Sequence, residues 1–403
     1  MSAARLLASA TVDRRLVLIL FTMFLDILGV GLIIPVAPYY ATAFGAGALE
    51  VGLLFTTYSA AQFLATPVLG GLSDRYGRRS ILLLSLVGEV VGYLMMGLAD
   101  SLAALYLARI VTGATAGNIG AAQAYLADIT RPEDRTRIFG LAGAAFGAGF
   151  LFGPALGGAL SLIDLRLTAY AASGLVLLNV IFAAFMLPES LPPERRSSTP
   201  LRAQLNPIGI LLRLLERPMM RSPLLATFLL NAAFTGMQAN LAVFLYGRFG
   251  FGPTQVAPLF VAVAATGILM QGVAVRWLSQ RLADATILLG GVLATTSAFV
   301  LIIVAVQPII LFPAMAMLSA GNALWRAPLT SLISKLVSER EQGMASGGAQ
   351  STAALAAVVG PLVAGVLYED IADSAPYWAG CVAVLLAGVT MLVQRGMKVR
   401  GSS

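Results

Sequence analysis

Histidine is absent from all 403 residues, cysteine occurs once, at Cys381, and charged residues make up only 11% of the chain. Without histidine there is no imidazole metal site, no Ser–His nucleophile and no imidazole proton relay. A lone cysteine excludes an internal disulfide. No Gly-Lys-Ser/Thr phosphate cradle occurs, so neither ATP hydrolysis nor any other enzymatic activity is expected. The scarcity of charge excludes a soluble domain, which carries roughly 25% charged residues.

What is present is apolar sequence, 58% of residues with a mean hydropathy of +0.86. It falls into runs of about 20 residues, enough for a helix to cross a ~30 Å hydrocarbon core, and lacks the ~10-residue alternation of a membrane barrel. The fold class is therefore an all-α membrane protein, since a helix satisfies its own backbone where lipid cannot. Twelve spans are predicted, near 16–40, 50–72, 80–99, 102–127, 137–160, 168–187, 222–246, 254–275, 286–305, 308–330, 343–367 and 376–394. Of the 26 Lys and Arg, 22 lie in the tails and even-numbered connections, which places both termini in the cytoplasm. The net charge of +7 is this bias, not a nucleic-acid footprint. Residues 1–15 are basic, but the apolar run after them is too long for a signal-peptide core, so span 1 is expected to be retained.

The chain reads as two copies of one unit. FGAGALEVGLLF (44–55) matches FGFGPTQVAPLF (249–260) at an offset of 205, LSDRYGRRS matches LSQRLADAT at 206, and the GPALGG beginning at Gly153 matches the GPLVAG beginning at Gly360 at 207. Six spans per copy give both repeats the same membrane orientation. The expected division is a six-helix bundle over 1–187, a Pro-, Ser- and Arg-rich cytoplasmic linker over 188–221 and a second bundle over 222–403, with an amphipathic helix near Ile208–Arg217. In the overlay Asp26 falls on Asn231, Glu50 on Gln255 and Asp74 on Gln280, so acids of the first copy are amides in the second.

Three ionisable residues lie deep in spans: Asp26, Glu89 and Arg109. Each costs at least about 2.5–3.5 kcal/mol at a helix centre and so needs a partner or a function. In a chain without histidine a proton carrier must be a carboxylate, and Asp26, in FLDILGVGLIIPVAP, is the first choice; the alternative is a fixed Asp26–Arg109 ion pair. Glu89 either titrates or pairs locally. Arg109 keeps its proton and is suited to hold a carboxylate or an anionic substrate group. The amides Gln62, Asn118, Gln123, Asn231, Gln238 and Asn240 suit a pocket that orients its ligand by a few polar groups, or else bond helix to helix.

Residues 70–80, GGLSDRYGRRS, read as a gating turn in which Asp74 caps a helix and Arg75, Arg78 and Arg79 pair with Asp128 or anionic lipid. Span 5 spaces Gly143 and Gly147, and Gly149, Gly153 and Gly157, by four, allowing close helix contact, and Pro154 removes a helical hydrogen bond. The contact and a hinge are compatible readings.

These motifs resemble the major facilitator superfamily, specifically its twelve-span drug:proton antiporters. GGLSDRYGRRS resembles the family's turn between spans 2 and 3, LARIVTGATAG its span-4 motif with Arg109, and GAGFLFGPALGG its antiporter signature. LDILGVGLIIPVAP, YSAAQFLATPVLGGLSDRYGRR and AYLADITRPEDRTRIFG are similar to the tetracycline efflux branch. The resemblance implies a proton-coupled inner-membrane exporter of amphipathic small molecules, with Asp26, Gln62 and Arg109 at embedded polar positions. It also implies that Asp74, Arg78 and Asp128 form a charge cluster locking the outward-facing state. The chain departs from that branch at Gly92 and Thr295, where tetracycline pumps carry acids. The expected partners are the substrate, protons and lipid, without a cofactor, metal or nucleic acid, and the protein is expected to be a monomer. The alternatives are an exporter or proton symporter of an endogenous metabolite or sugar and, in another class, a non-transporting membrane sensor or scaffold.

Overall fold

The computed structural model describes residues 14–131, 134–196, 207–337 and 341–400. The ends of the chain and residues 197–206 of the expected linker lie outside the described residues. Twelve long helices follow in order: α1 (Arg14–Ala43, turning at 34–36), α2 (Ala48–Tyr76), α3 (Arg78–Leu98), α4 (Leu102–Ile129), α5 (Arg135–Ser161) and α6 (Leu165–Met186), then α7 (Pro218–Phe249), α8 (Pro253–Ser279), α9 (Asp284–Val304), α10 (Pro308–Lys335), α11 (Gln342–Asp370) and α12 (Ala375–Arg400). A short linker helix, Pro207–Leu215, lies between the two sets. Each expected span is realised as a helix. Most helices extend past the apolar stretch, because polar or charged residues at a helix end stay in a wetter layer, as Lys335 does at the end of α10. Eleven of the twelve are long and apolar enough to cross a membrane. The other, α2, carries Thr56, Thr57, Tyr58, Ser59 and Gln62 in its middle.

Two cores form. One gathers residues from Leu18 to Leu187, the other chiefly residues from Leu214 to Ala387, so each set of six helices buries its own apolar faces. The repeats reuse the same local devices. At the start of α2, Gly47 N donates to Glu50 Oε2 at 3.0 Å; at the start of α8, Gly252 N donates to Gln255 Oε1 at 3.0 Å. A carboxylate and an amide oxygen cap a helix equally well, which is why this acid is replaceable by an amide. α1 meets α5 where a Cβ on Gly153 would lie 2.6 Å from Gly31 Cα. α7 meets α11 where a Cβ on Gly236 would lie 2.8 Å from Gly360 O. Any side chain there would push the backbones apart. α5 runs unbroken through Pro154, whose ring sits at the Gly31 contact.

The halves meet along α2 with α11 and α5 with α8. Between them, Leu49 N donates to Glu369 Oε1 at 2.9 Å, Tyr39 OH to Phe251 O at 2.9 Å and Thr56 Oγ1 to Val358 O at 3.0 Å. The first two lie at the face opposite the linker. Toward the linker face, a Cβ on Gly70, Gly143, Gly272 or Gly347 would meet nothing within 4 Å. The recorded bonds between the bundles thus lie at the far face and midway along the seam.

Glu369 is the acid that caps α2 across the seam, so Glu369→Ala is expected to open the far face. A hydrogen bond of about 1 kcal/mol corresponds to roughly a five-fold population shift. Labelling of a Leu49→Cys variant by a membrane-impermeant maleimide should rise by about that factor, and unchanged labelling would remove Glu369 from the closure.

Candidate functional site

The chemistry of the first bundle converges on one amide. α4 breaks at 115–117: Thr115 Oγ1 turns back to Val111 O at 2.9 Å, Gly117 N bonds to Thr115 O at 2.7 Å, and a second helical segment starts at Asn118. There Asn118 Oδ1 accepts from Ile119 N at 3.0 Å, which fixes the amide orientation and leaves Nδ2 as donor. That nitrogen lies 2.7 Å from Asp26 Oδ1, 2.7 Å from Asp26 Oδ2 and 2.7 Å from Glu89 Oε1. Its two hydrogens serve the three contacts, one of them shared between both oxygens of Asp26. The side chains come from α1, α3 and α4, and all three residues are buried. A gap of 10 Å³ adjoins Asp26 and Asn118, about the size of a single water.

Glu89 Oε2, buried beside this shared donor, has no hydrogen-bond partner. Asn118 thus holds two buried carboxyls on one nitrogen, close enough that ionising both would set like charges against each other.

The Asp26–Arg109 ion pair does not form in this arrangement. Arg109 is 7% exposed, its Nε and Nη2 lack hydrogen-bond partners, and its guanidinium carbon lies 5.7 Å from the ring centres of both Phe55 and Tyr58. Both oxygens of Asp26 are occupied by Asn118, and the cation rests on aromatic faces instead. Gln62 Nε2 reaches Tyr58 OH at 3.5 Å, extending this polar strip along α2.

The expected amides separate by role. Asn118 belongs to the carboxyl cluster. Asn240 is buried and donates to Ala364 O at 3.1 Å, bonding α7 to α11. Asn231 bonds within its own helix, to Thr227 O at 2.7 Å, and lines a 330 Å³ cavity between α7, α10 and α11. Gln238 is half-buried and Gln123 exposed.

At the linker face Arg78 bonds Asp74 at 2.5 Å and Asp128 at 3.1 Å, so the expected charge cluster is assembled, within the first bundle. Arg79 donates to Ala184 O, and Arg75 lies over the Tyr76 ring. Glu189 escaped sequence reasoning. Its Oε1 accepts from Arg78 N at 2.9 Å, Ser190 N at 3.0 Å and Leu191 N at 3.1 Å, capping α3 from the start of the linker. Nothing in PESLPP distinguishes such a cap from an ordinary linker acid.

The family model described as Major Facilitator Superfamily matches residues 19–361 and 277–400. The tetracycline resistance protein, class C, of Escherichia coli is 32% identical over 398 residues, covering 97% of this chain and 99% of that protein. The class G tetracycline resistance protein of Vibrio anguillarum is 34% identical over 376 residues, with coverages of 92% and 94%. Among solved structures, the human organic anion transporter TETRAN superposes with a TM-score of 0.71 at 25% identity, covering 94% of this chain and 98% of that one.

Replacing Asn118 by Leu removes the donor from two buried carboxyls and is expected to cost about 1–3 kcal/mol. Asn240→Leu, which removes one interhelical bond, should cost about 0.6 kcal/mol. Thermal unfolding of the detergent-solubilised protein compares the two; equal losses would deny Asn118 its central place.

Proposed function

The chain belongs to the major facilitator superfamily and is a membrane transporter, and we propose that it is a proton-coupled antiporter that exports amphipathic small molecules from a bacterial cell. The observation that carries this reading is the pairing of Asp26 and Glu89 on the one Asn118 amide. Removing a proton from this pair leaves two adjacent carboxylates that repel each other and attract the unpaired cation of Arg109. Because these groups sit on α1, α3 and α4, proton occupancy biases the packing of the whole first bundle, which is how a proton and a substrate come to favour opposite conformations.

The arginine distribution supports a linker face and both termini in the cytoplasm, and the bacterial relatives support the inner membrane. With the bundles bonded to each other at the far face, the arrangement is then inward-facing, ready to load cargo from the cytoplasm. When that face closes, the Asp74–Arg78–Asp128 cluster becomes the lock of the outward-facing state. The bundles over 1–187 and 222–403 rock as units about the linker 188–221, with Gly153 and Pro154 at the α1–α5 contact where they pivot. A monomer suffices for this cycle.

The relatives' names point to tetracycline and the solved neighbour's to organic anions. Two positions argue against a metal–tetracycline chelate as the principal cargo. A Cβ on Gly92 would collide with Thr112, and Thr295 is buried with its hydroxyl bonded to Gly291 O at 2.9 Å. Neither position offers an acid to a metal, so a drug-type amphipath is the better fit.

The test is energy-dependent accumulation of a compound panel, including tetracycline and unrelated drugs, in a host stripped of its own pumps. Expression should lower accumulation of at least one amphipath, and an uncoupler should restore it. Asp26→Asn and Glu89→Gln should each abolish gradient-driven export. Full export by Asp26→Asn would sink the proton assignment, and an absence of uncoupler-sensitive exclusion for every compound would sink the exporter reading.

A further inference from the structure

The cavity in the second bundle sits where the repeat places the counterpart of the carboxyl cluster. Asn231 lies 205 residues after Asp26, and Trp325 lies 207 after Asn118, the offsets at which the two halves overlay. Both line the 330 Å³ space between α7, α10 and α11. One repeat position thus holds a carboxyl cluster in the first half and an open cavity in the second. Its volume lies within the ~300–1,000 Å³ of ligand pockets.

The charge in that cavity is of one sign. Arg326 is exposed to it, and no acidic side chain lines it among the described residues. The described acids that form ion pairs with cations of this bundle, Asp284 and Glu341, are paired with Lys335 and Arg217. Ser334, Ser346 and Gln350 line the same space and make no side-chain hydrogen bond among the described residues, while buried Trp325 supplies an apolar wall. A guanidinium with free donors, beside hydroxyls and an amide and next to an aromatic surface, matches a carboxylate or sulfonate attached to an apolar body.

We infer that this cavity is the seat of an anionic group of the cargo, with Arg326 as its counter-charge. The cargo class is then an amphipathic organic anion, held by its charge at α10 and by its apolar body against Trp325. The inference rests on the transporter reading and specifies its substrate class. It also has an electrical consequence: exchanging a monoanion outward for n protons inward moves n + 1 positive charges into the cell.

The test uses the full chain in lipid nanodiscs and two isosteric probes, 1-naphthoate and 1-naphthamide, with binding read by calorimetry. The wild type should bind naphthoate about ten-fold more tightly, the factor expected for one charge-assisted hydrogen bond. Arg326→Gln should erase that preference by weakening naphthoate far more than naphthamide, and Arg326→Lys should keep part of it. Equal affinities in the wild type, or a preference that survives Arg326→Gln, would overturn the inference. Transport in cells separates the two readings. Naphthoate selectivity without uncoupler-sensitive export would uphold the site and refute the exporter, whereas export without any anion preference would do the reverse.

Discussion

A charge among apolar helices must find its partner inside the bundle, and in this protein a single amide meets two buried carboxyls. Asn118 reaches both Asp26 and Glu89 because α4 breaks one residue before it, turning its side chain toward α1 and α3. An unbroken α4 would carry Asn118 on a different heading, and Asp26 and Glu89 would be buried without a common donor. The helix break, caused by threonine back-bonding and a glycine, is thus part of the chemistry as well as the packing.

Around that cluster the two halves show how a duplicated frame diverges. The features that only pack are kept: glycine contacts between α1 and α5 and between α7 and α11, and the same cap at the start of α2 and α8. The features that carry charge are not. Asp26 becomes Asn231, and the pocket of the second half carries Arg326 instead. Packing constrains shape, which both halves need. A buried charge costs several kcal/mol, so it is retained only where it is used.

The seam between the halves is asymmetric from one face to the other. At the far face it is made of directed bonds, with Glu369 on the Leu49 amide of α2 and Tyr39 on Phe251 O. Toward the linker face the ion pairs of Arg78 and Lys335 stay within their own halves. Opening the far face requires those bonds to break, so a change in the fit of α1 and α4 within the first bundle works against them.

Length, apolar runs and arginine placement determined the helical membrane class, the twelve spans and the duplication, because transfer of side chains to lipid is a sum over residues and needs no knowledge of neighbours. The sequence also marked Asp26, Glu89 and Arg109, since a charge in an apolar run is visible without a structure. Which of them meet was decided by the tertiary fold. Asp26 and Asn118 lie 92 residues apart, and their contact depends on the break in α4 and on the glycine contact that seats α1. That geometry gave an Asp26–Asn118–Glu89 cluster in place of the alternative Asp26–Arg109 pair and left Arg109 on two aromatic rings. It also gave Glu189, Glu369 and Arg326 roles that their sequence neighbours do not announce. A partner is a matter of direction and distance in three dimensions, and a hydropathy pattern records only depth.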